Sequence, residues 1–389
     1  MHRLLRLPRL TSCPLPALRR TSLSISDPFS RPTPSYSYPY RHVHGFSKWA
    51  TRSPIRNILL VRKPQDSRVS QALYRVVLEL RKINPDIRLF YEASVIPQDA
   101  PPNAELFEPT NLPLSTPSSS SQPPIDLVIT LGGDGTILHA SSLFNNGPVP
   151  PVLSFSLGTL GFLLPFHIDS MEQALKDVFC GKMSILPRMR LSCRVRPKGF
   201  NDLTEEESSI TPSRWQVMNE VSLHRGSSPH LVTADTYVDD QHLTEAIADG
   251  LIVATPTGST AYSLSSGGPI VHPAVQAMLL TPVSPMSLSF RPLVLPSWSK
   301  MRIEINERSR SSAYISMDGR EAGILHPGDC VLVEASPWPI PCINVHRVSP
   351  SQDTTGDQSR GESLGHDTWV RDINMLLGFN VSFKANTGR

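Results

Sequence analysis

The sequence predicts two domains: a doubly wound α/β domain with a parallel sheet, then a mostly β domain. Three observations carry this reading. Between Ile55 and Lys182, apolar runs alternate with stretches of helical spacing, the pattern of βαβ units. The run "IDLVIT" leads straight into the glycine turn of "LGGDGT", as strands of open parallel sheets do beside a ligand crevice. Beyond Lys182, short runs in which Val, Ile and Leu alternate with polar residues replace that pattern. A length of 389 residues accommodates two or three domains with sizeable cores.

The opening stretch "MHRLLRLPRLTSCPLPALRRTSLSIS" carries Arg3, Arg6, Arg9, Arg19 and Arg20, with no acid before Asp27. This Arg-rich, Ser-rich, acid-poor composition is that of a mitochondrial transit peptide, although Pro8, Pro14 and Pro16 interrupt any helix. Residues 1–50 are therefore set outside the fold, with the mitochondrial matrix as destination and the cytoplasm as the alternative.

The α/β domain is expected over 55–182. "IRNILLVRK" reads as its first buried strand. In "SRVSQALYRVVLELRKIN", Ala72, Leu73, Val76, Val77 and Leu80 share a helix face. "DIRLFYE" is a second strand. The Pro/Ser-rich segment 97–124 has no period and reads as an extended or disordered insertion. "IDLVITLGGDGT" is a strand with its turn, and Thr136–Phe144 opens a helix. "PPVLSFSLGTLGFLLPF" gives another strand and another glycine-rich turn. "DSMEQALKDVFCGK" is a helix capped by Asp169 or Ser170 and ended by Gly181. The whole is Rossmann-like.

Residues 183–348 form a sandwich-like β domain, its strands including "ILPRMRLSCRVRP", "WQVMNEVSLHR", "DGLIVATPT", "KMRIEINE" and "DCVLVEAS". "TEEESSITPS" and 349–367 read as disordered insertions, and 368–389 as a helix and tail in which Trp369, Ile373, Leu376 and Leu377 share a face.

Composition narrows the function. A net charge of +3, with no long basic block beyond the N-terminus, offers nothing to a nucleic acid. No apolar run reaches the roughly 18 residues of a membrane-spanning helix. Five scattered cysteines without a C-x-x-C fit free thiols in a reducing compartment, not a zinc site or a disulfide framework. His139 and His272 lack a partner set for a metal and read as structural.

Chemistry concentrates at Gly132-Gly133-Asp134-Gly135-Thr136. Glycines at a strand's carboxyl end expose backbone N–H groups to a phosphate. A carboxylate there repels phosphate unless it has another task, such as accepting the proton of an attacking hydroxyl or holding Mg²⁺. The loop thus points to phosphoryl transfer to an alcohol; an Asx-turn with no chemistry is the bland alternative. "GSTAY" is not a nucleophile elbow, because the flanking glycines of G-x-S-x-G are absent.

GGDG-type loops occur in several kinase families. "MNEVSLHR", "ADGLIVATPTGSTAYSLSSGGP" and "LGTLGFLLPF", however, together resemble the NAD kinase family, over about residues 55–350. The resemblance implies transfer of the ATP γ-phosphate, with Mg²⁺, to the adenosine ribose 2′-hydroxyl of NAD or NADH. It implies Asp134 as the proton acceptor, and Gly132, Gly133, Gly135, Thr136 and Phe162 around phosphates and ribose. Asn219 and Glu220 match the pair that holds the ribose hydroxyls and adenine. Asp249 matches a carboxylate near the nicotinamide ribose, and Thr260, Ala261, Tyr262, Ser263, Leu264 and Ser265 match the segment around adenine. His230 and Ser284 stand at positions that contact substrate in relatives. The resemblance further implies a homo-oligomer, dimer or higher, assembled through the β domain; no metal-ligand set is read from the sequence.

Ile247 stands where some NAD-specific relatives have Arg; with the presequence, it makes the chain similar to fungal mitochondrial NADH kinases. Asp318-Gly319 is expected as a hairpin turn. Arg320 either reaches phosphate or is a solvated strand residue. Polyphosphate serves some relatives as donor; ATP is the default. Two rivals stay open: a lipid kinase of the diacylglycerol or sphingosine type with the same loop, and a dinucleotide-binding sensor without turnover.

Overall fold

The computed structural model describes residues 42–43, 46–48, 55–64, 66–92, 105–107, 124–145, 147–158, 161–199, 214–344 and 369–378. The Arg-rich N-terminus and the insertions expected at Thr204–Ser213 and 349–367 lie outside the described residues.

The first half builds a sheet of ten strands. Its parallel part is β3 (Asn57–Arg62), β4 (Arg88–Glu92), β5 (Glu105–Phe107), β6 (Leu127–Gly132), β7 (Val152–Ser156) and β8 (Phe166–His167). The central strands β3, β6 and β7 are buried on both faces, as expected of a parallel sheet covered by helices. In β3, Ile58 and Leu60 pack in one cluster with α1 (Ser67–Ile83) and α3 (Met171–Phe179). Leu59 and Val61 pack in the other, with α2 (Asp134–Ser142). Helix α1 buries Val69, Ala72, Leu73, Val76 and Leu80, with Val77 half-buried beside them, and its N-cap Asp66 accepts from the Arg68 N–H at 3.1 Å.

The second half is a sandwich of two antiparallel six-stranded sheets. One runs β11 (Arg214–Val217), β10 (Leu191–Arg196), β21 (Cys330–Ala335), β18 (Met301–Ile305), β13 (Val232–Val238) and β14 (Gln241–Ala248). The other runs β17 (Leu293–Pro296), β16 (Ala277–Val283), β15 (Gly250–Ala254), β12 (Glu220–His224), β19 (Ala313–Met317) and β20 (Arg320–Leu325). Alternate residues such as Leu191, Val221, Leu223, Ile303 and Ile315 fill the core between them.

The structure corrects the expected boundaries in four places. "ILPRMRLSCRVRP" is two strands, and β9 (Ser184–Arg188) belongs to the first sheet. So does β22 (Ile340–Asn344), which lies between β9 and β7, parallel to the latter. The chain leaves and re-enters the first sheet, so 183–348 is not one uninterrupted β domain. The break falls at the fully buried Arg190, whose guanidinium donates to the carbonyls of Ser141, Phe144, Gly147 and Trp338. It holds the C-terminal end of α2, where a cation is favoured. Third, β1 (His42–Val43) and β2 (Phe46–Lys48) extend the sheet by pairing through β2 to β9, although they fall within 1–50. Fourth, β5 lies within the expected loop 97–124 and pairs with β4. Helix α2 begins at Asp134, ahead of Thr136. A short 3₁₀ turn, Ile168–Ser170, precedes α3, whose N-cap Ser170 makes no side-chain cap bond.

Candidate active site

Asp134 is the first residue of α2, just past the carboxyl end of β6. Its two carboxylate oxygens accept backbone N–H bonds from the loop after β7: Oδ2 from Phe162 at 3.1 Å and Oδ1 from Leu163 at 3.2 Å. Gly161 lets that loop come close, because a Cβ on it would lie 2.1 Å from Asp134 Oδ1. The motifs "LGGDGT" and "LGTLGF" therefore form one constellation. Burial pushes the Asp134 carboxyl above its ordinary pKa, while the Leu163 and Phe162 N–H bonds and the Arg188 charge pull it back. Each oxygen keeps a lone pair for a further hydroxyl donor.

A cavity of about 290 Å³ opens beside this loop, with Arg62, Lys63, Gly133, Gly135 and Thr136 in its wall. Two cations, glycine backbone and the positive end of a helix suit a polyphosphate. Sequence reasoning missed Arg62 and Lys63. The signal was available: β3 is the parallel neighbour of β6, so the residues that end it stand next to the glycine turn.

Asn219 and Glu220 lie at the start of β12. The Asn219 carbonyl accepts from the Thr255 N–H at 2.9 Å, and the Thr255 hydroxyl donates to the Met218 carbonyl at 2.6 Å. Gly258 of "TPTGST" lies over the same peptide; a Cβ there would be 2.1 Å from the Asn219 carbonyl oxygen. From the other side the Asp318 carboxylate accepts the N–H groups of Met218, Asn219 and Glu220 at 2.8, 2.7 and 3.3 Å. Asp318-Gly319 is the expected hairpin turn, with φ of 49° and 73°. The inward hold of the Asp318 side chain on the neighbouring strand was not foreseen.

Asn219 Oδ1 and Glu220 Oε2 are buried and have no hydrogen-bond partner among the described residues. Buried orphan acceptors are unfavourable unless a ligand supplies the donors. Burial, and then the neighbouring Asp318, push the Glu220 carboxyl up to about 7.

Arg188, also unforeseen, joins the two halves. From β9 it donates to the Thr257 hydroxyl at 3.2 Å and to the Phe162 carbonyl at 3.4 Å. It thus ties the loop that holds Asp134 to the segment that covers Asn219.

The remaining expected residues divide. The 3₁₀ turn Thr257–Thr260 and the short helix α4 (Tyr262–Ser265) follow β15. Tyr262 and Ser265 are exposed there, and Thr260, Ala261 and Leu264 are half-buried. The Ser263 hydroxyl is fully buried against Thr281 at 2.9 Å, turned into the packing behind the segment. Asp249 is engaged by Arg225, Nε to Oδ1 at 2.5 Å. His230 is exposed in the loop between β12 and β13, and Ser284 is exposed in a left-handed turn with φ of 45°. Ile247 lines a different cavity, of about 330 Å³, with Leu243, Met286 and Phe290. His272 packs edge-on against Trp369 of α5 (Trp369–Leu377), at 4.8 Å between ring centroids.

Taken together, the cleft offers a basic carboxylate, a polyphosphate cradle and a pair of acceptors suited to a diol. That set suits phosphoryl transfer to a sugar hydroxyl.

Comparison with known proteins agrees. The family model described as the ATP-NAD kinase N-terminal domain matches residues 118–183, and the ATP-NAD kinase C-terminal domain matches 218–345. The mitochondrial NADH kinase of Schizosaccharomyces pombe is 43% identical over 331 residues, covering 85% of this chain and 76% of that protein. The mitochondrial NADH kinase of Saccharomyces cerevisiae is 37% identical over 353 residues, covering 86% and 83%. The crystal structure of yeast NADH kinase complexed with NADH superposes with a TM-score of 0.71 at 34% identity, covering 88% of this chain and 93% of that one.

Proposed function

The chain belongs to the NAD kinase family, and on that premise we propose that Asp134 is the general base of its reaction. The enzyme is an ATP-dependent NAD/NADH kinase that makes NADP(H). The lipid-kinase and sensor alternatives fall with that assignment.

In the proposed mechanism, Asn219 and Glu220 hold the adenosine ribose. The ribose hydroxyls donate to the orphaned Asn219 and Glu220 oxygens. The 2′-hydroxyl passes its proton to Asp134 as its oxygen bonds to the γ-phosphorus. The bond from the γ-phosphorus to the β,γ-bridging oxygen breaks, and ADP leaves with that electron pair. A hydroxyl is a weak nucleophile at neutral pH, so a desolvated carboxylate within reach is what the step requires. Arg62, Lys63 and the backbone N–H groups of Gly133 and Gly135 receive the donor phosphates. Thr260, Tyr262 and Ser265 border the adenine; Asp249, His230 and Ser284 serve the nicotinamide side.

Mg²⁺ enters as the magnesium complex of ATP. Among the described residues no group of three His, Cys, Asp or Glu side chains is placed to hold a metal. Carried by the ATP phosphates, the ion would screen their charge beside Arg62 and Lys63.

The Arg188 bridge between the Asp134 loop and the Thr257 segment carries this reading, because it makes one cleft of two domains. The test is NADP(H) formation from ATP, Mg²⁺ and either NAD or NADH by the wild type and Asp134→Asn. Loss of product in the variant, with dinucleotide binding kept, supports the base; retained turnover refutes it.

We further propose a mitochondrial address read from the Arg-rich N-terminus, and use of NADH as well as NAD. The S. pombe and S. cerevisiae relatives are both named mitochondrial NADH kinases. A fluorescent fusion of residues 1–50 that stays in the cytosol would refute the address. A homo-oligomer is proposed on the exposed Met286 and Leu288 at the β16–β17 end of the sandwich; light scattering at monomer mass would refute it.

A further inference from the structure

A chain of side chains links β4, α2 and the start of β20. Glu92, the last residue of β4, meets His139 Nε2 through Oε2 at 2.6 Å. His139 Nδ1 meets Arg320 Nη2 at 2.8 Å. The other arm of the same guanidinium, Nη1, donates to the Ser142 hydroxyl at 2.9 Å. Ser142 in turn donates to the His139 carbonyl at 2.8 Å, which fixes its lone pairs toward Arg320.

These bonds define the protonation pattern. Arginine only donates, so His139 Nδ1 is the acceptor and the ring proton sits on Nε2, donated to the Glu92 carboxylate. His139 and Ser142 stand three residues apart on α2, on one helix face, so the guanidinium grips the helix at two successive points.

We propose that Glu92, His139 and Arg320 form a positioning strut that sets the distance between the proton acceptor and the ribose-holding pair. One end of the strut is on α2, whose first residue is Asp134. The other end is Arg320, which directly follows the Asp318-Gly319 turn; Asp318 holds the peptides of Asn219 and Glu220. A shift of Arg320 against α2 therefore moves the ribose pair against Asp134. The strut rests on the reading of Asp134 and Asn219–Glu220 given above.

The test uses the full chain and the variants Arg320→Ala, His139→Leu, their combination, and His139→Asn. Misplacing reacting groups by about 1 Å slows a reaction by about 100-fold. Each single disruption should lower kcat by about 10- to 100-fold, with KM for the dinucleotide kept within about threefold. The double variant should be no worse than the poorer single one, because both break one connection. In His139→Asn the amide oxygen takes the place of Nδ1 as acceptor for Arg320, so kcat should recover to within about threefold of wild type.

His139 also borders the donor cavity, so KM for ATP is followed separately: a defect confined to it overturns the strut. Unchanged kcat in Arg320→Ala overturns it too, as does His139→Asn as poor as His139→Leu, or a melting-temperature loss that accounts for the activity loss. If His139→Leu does not fold, the exposed Arg320 and the His139→Asn rescue still decide. Asp134→Asn runs alongside: turnover in that variant means the base assignment is wrong, whereas its inactivity beside normal strut variants means that only the strut is wrong.

Discussion

Gly161→Ala should inactivate the enzyme without removing any chemical group. The new Cβ would lie 2.1 Å from Asp134 Oδ1, 2.6 Å from its Cγ and 2.7 Å from Oδ2. Ordinary contact begins near 3.4 Å, so carboxylate and loop must part by about 1.3 Å. Parting breaks the Phe162 and Leu163 N–H bonds, which start at 3.1 and 3.2 Å. Hydrogen bonds to a charged group contribute about 1.5–3 kcal/mol each, so the carboxylate loses its orientation. A displacement of that size predicts a kcat lower by about 100-fold, with a melting temperature lower by up to about 10 °C. The assay is NADP(H) formation at saturating ATP and NADH, with Asp134→Asn as the floor and thermal melts of each protein. A Gly161→Ala enzyme within about threefold of wild-type kcat would refute the claim that this contact positions the base.

Other expectations follow from the same geometry. The Glu220 carboxyl, raised from 4.5 to about 7, binds its proton more tightly in the folded chain than in the unfolded one. Its contribution to stability is therefore full below about pH 4.5 and is lost as pH rises through about 7, an effect of about 3 kcal/mol at about 1.4 kcal/mol per unit. Urea melts of the ligand-free protein at pH 5 and pH 8 should show that loss, and Glu220→Gln should flatten it; parallel curves would count against the burial argument. Gly258→Ala drives a Cβ into the Asn219 peptide and should raise KM for the dinucleotide at least about tenfold, with KM for ATP little changed. Ile247→Arg should lower the ratio of NADH to NAD use; an unchanged ratio removes that residue from the account of specificity.

The elements were legible because their signals are local. Helical spacing located α1 and α3, alternation located the strands of the sandwich, and glycine marked both loops around Asp134. What escaped were side chains that act over long separations. Asp318 holds Met218 and Asn219 from 100 and 99 positions away, and Arg188 meets Thr257 across 69. A charged residue in or beside a strand reads as a solvated face, and only its partner shows otherwise. The Ser263 hydroxyl, too, showed its partner, Thr281, only in the packed chain.

By itself the sequence determined the kinds of element, the glycine loop around Asp134, and the family, because propensity, period and glycine freedom act within a few residues. Tertiary structure alone decided that β9 and β22 complete the first sheet, that Arg188 links the Phe162 backbone to Thr257, and that Arg320 meets α2. Pairing between distant segments depends on which surfaces remain to be covered once the local elements have formed, and that is a property of the packed chain.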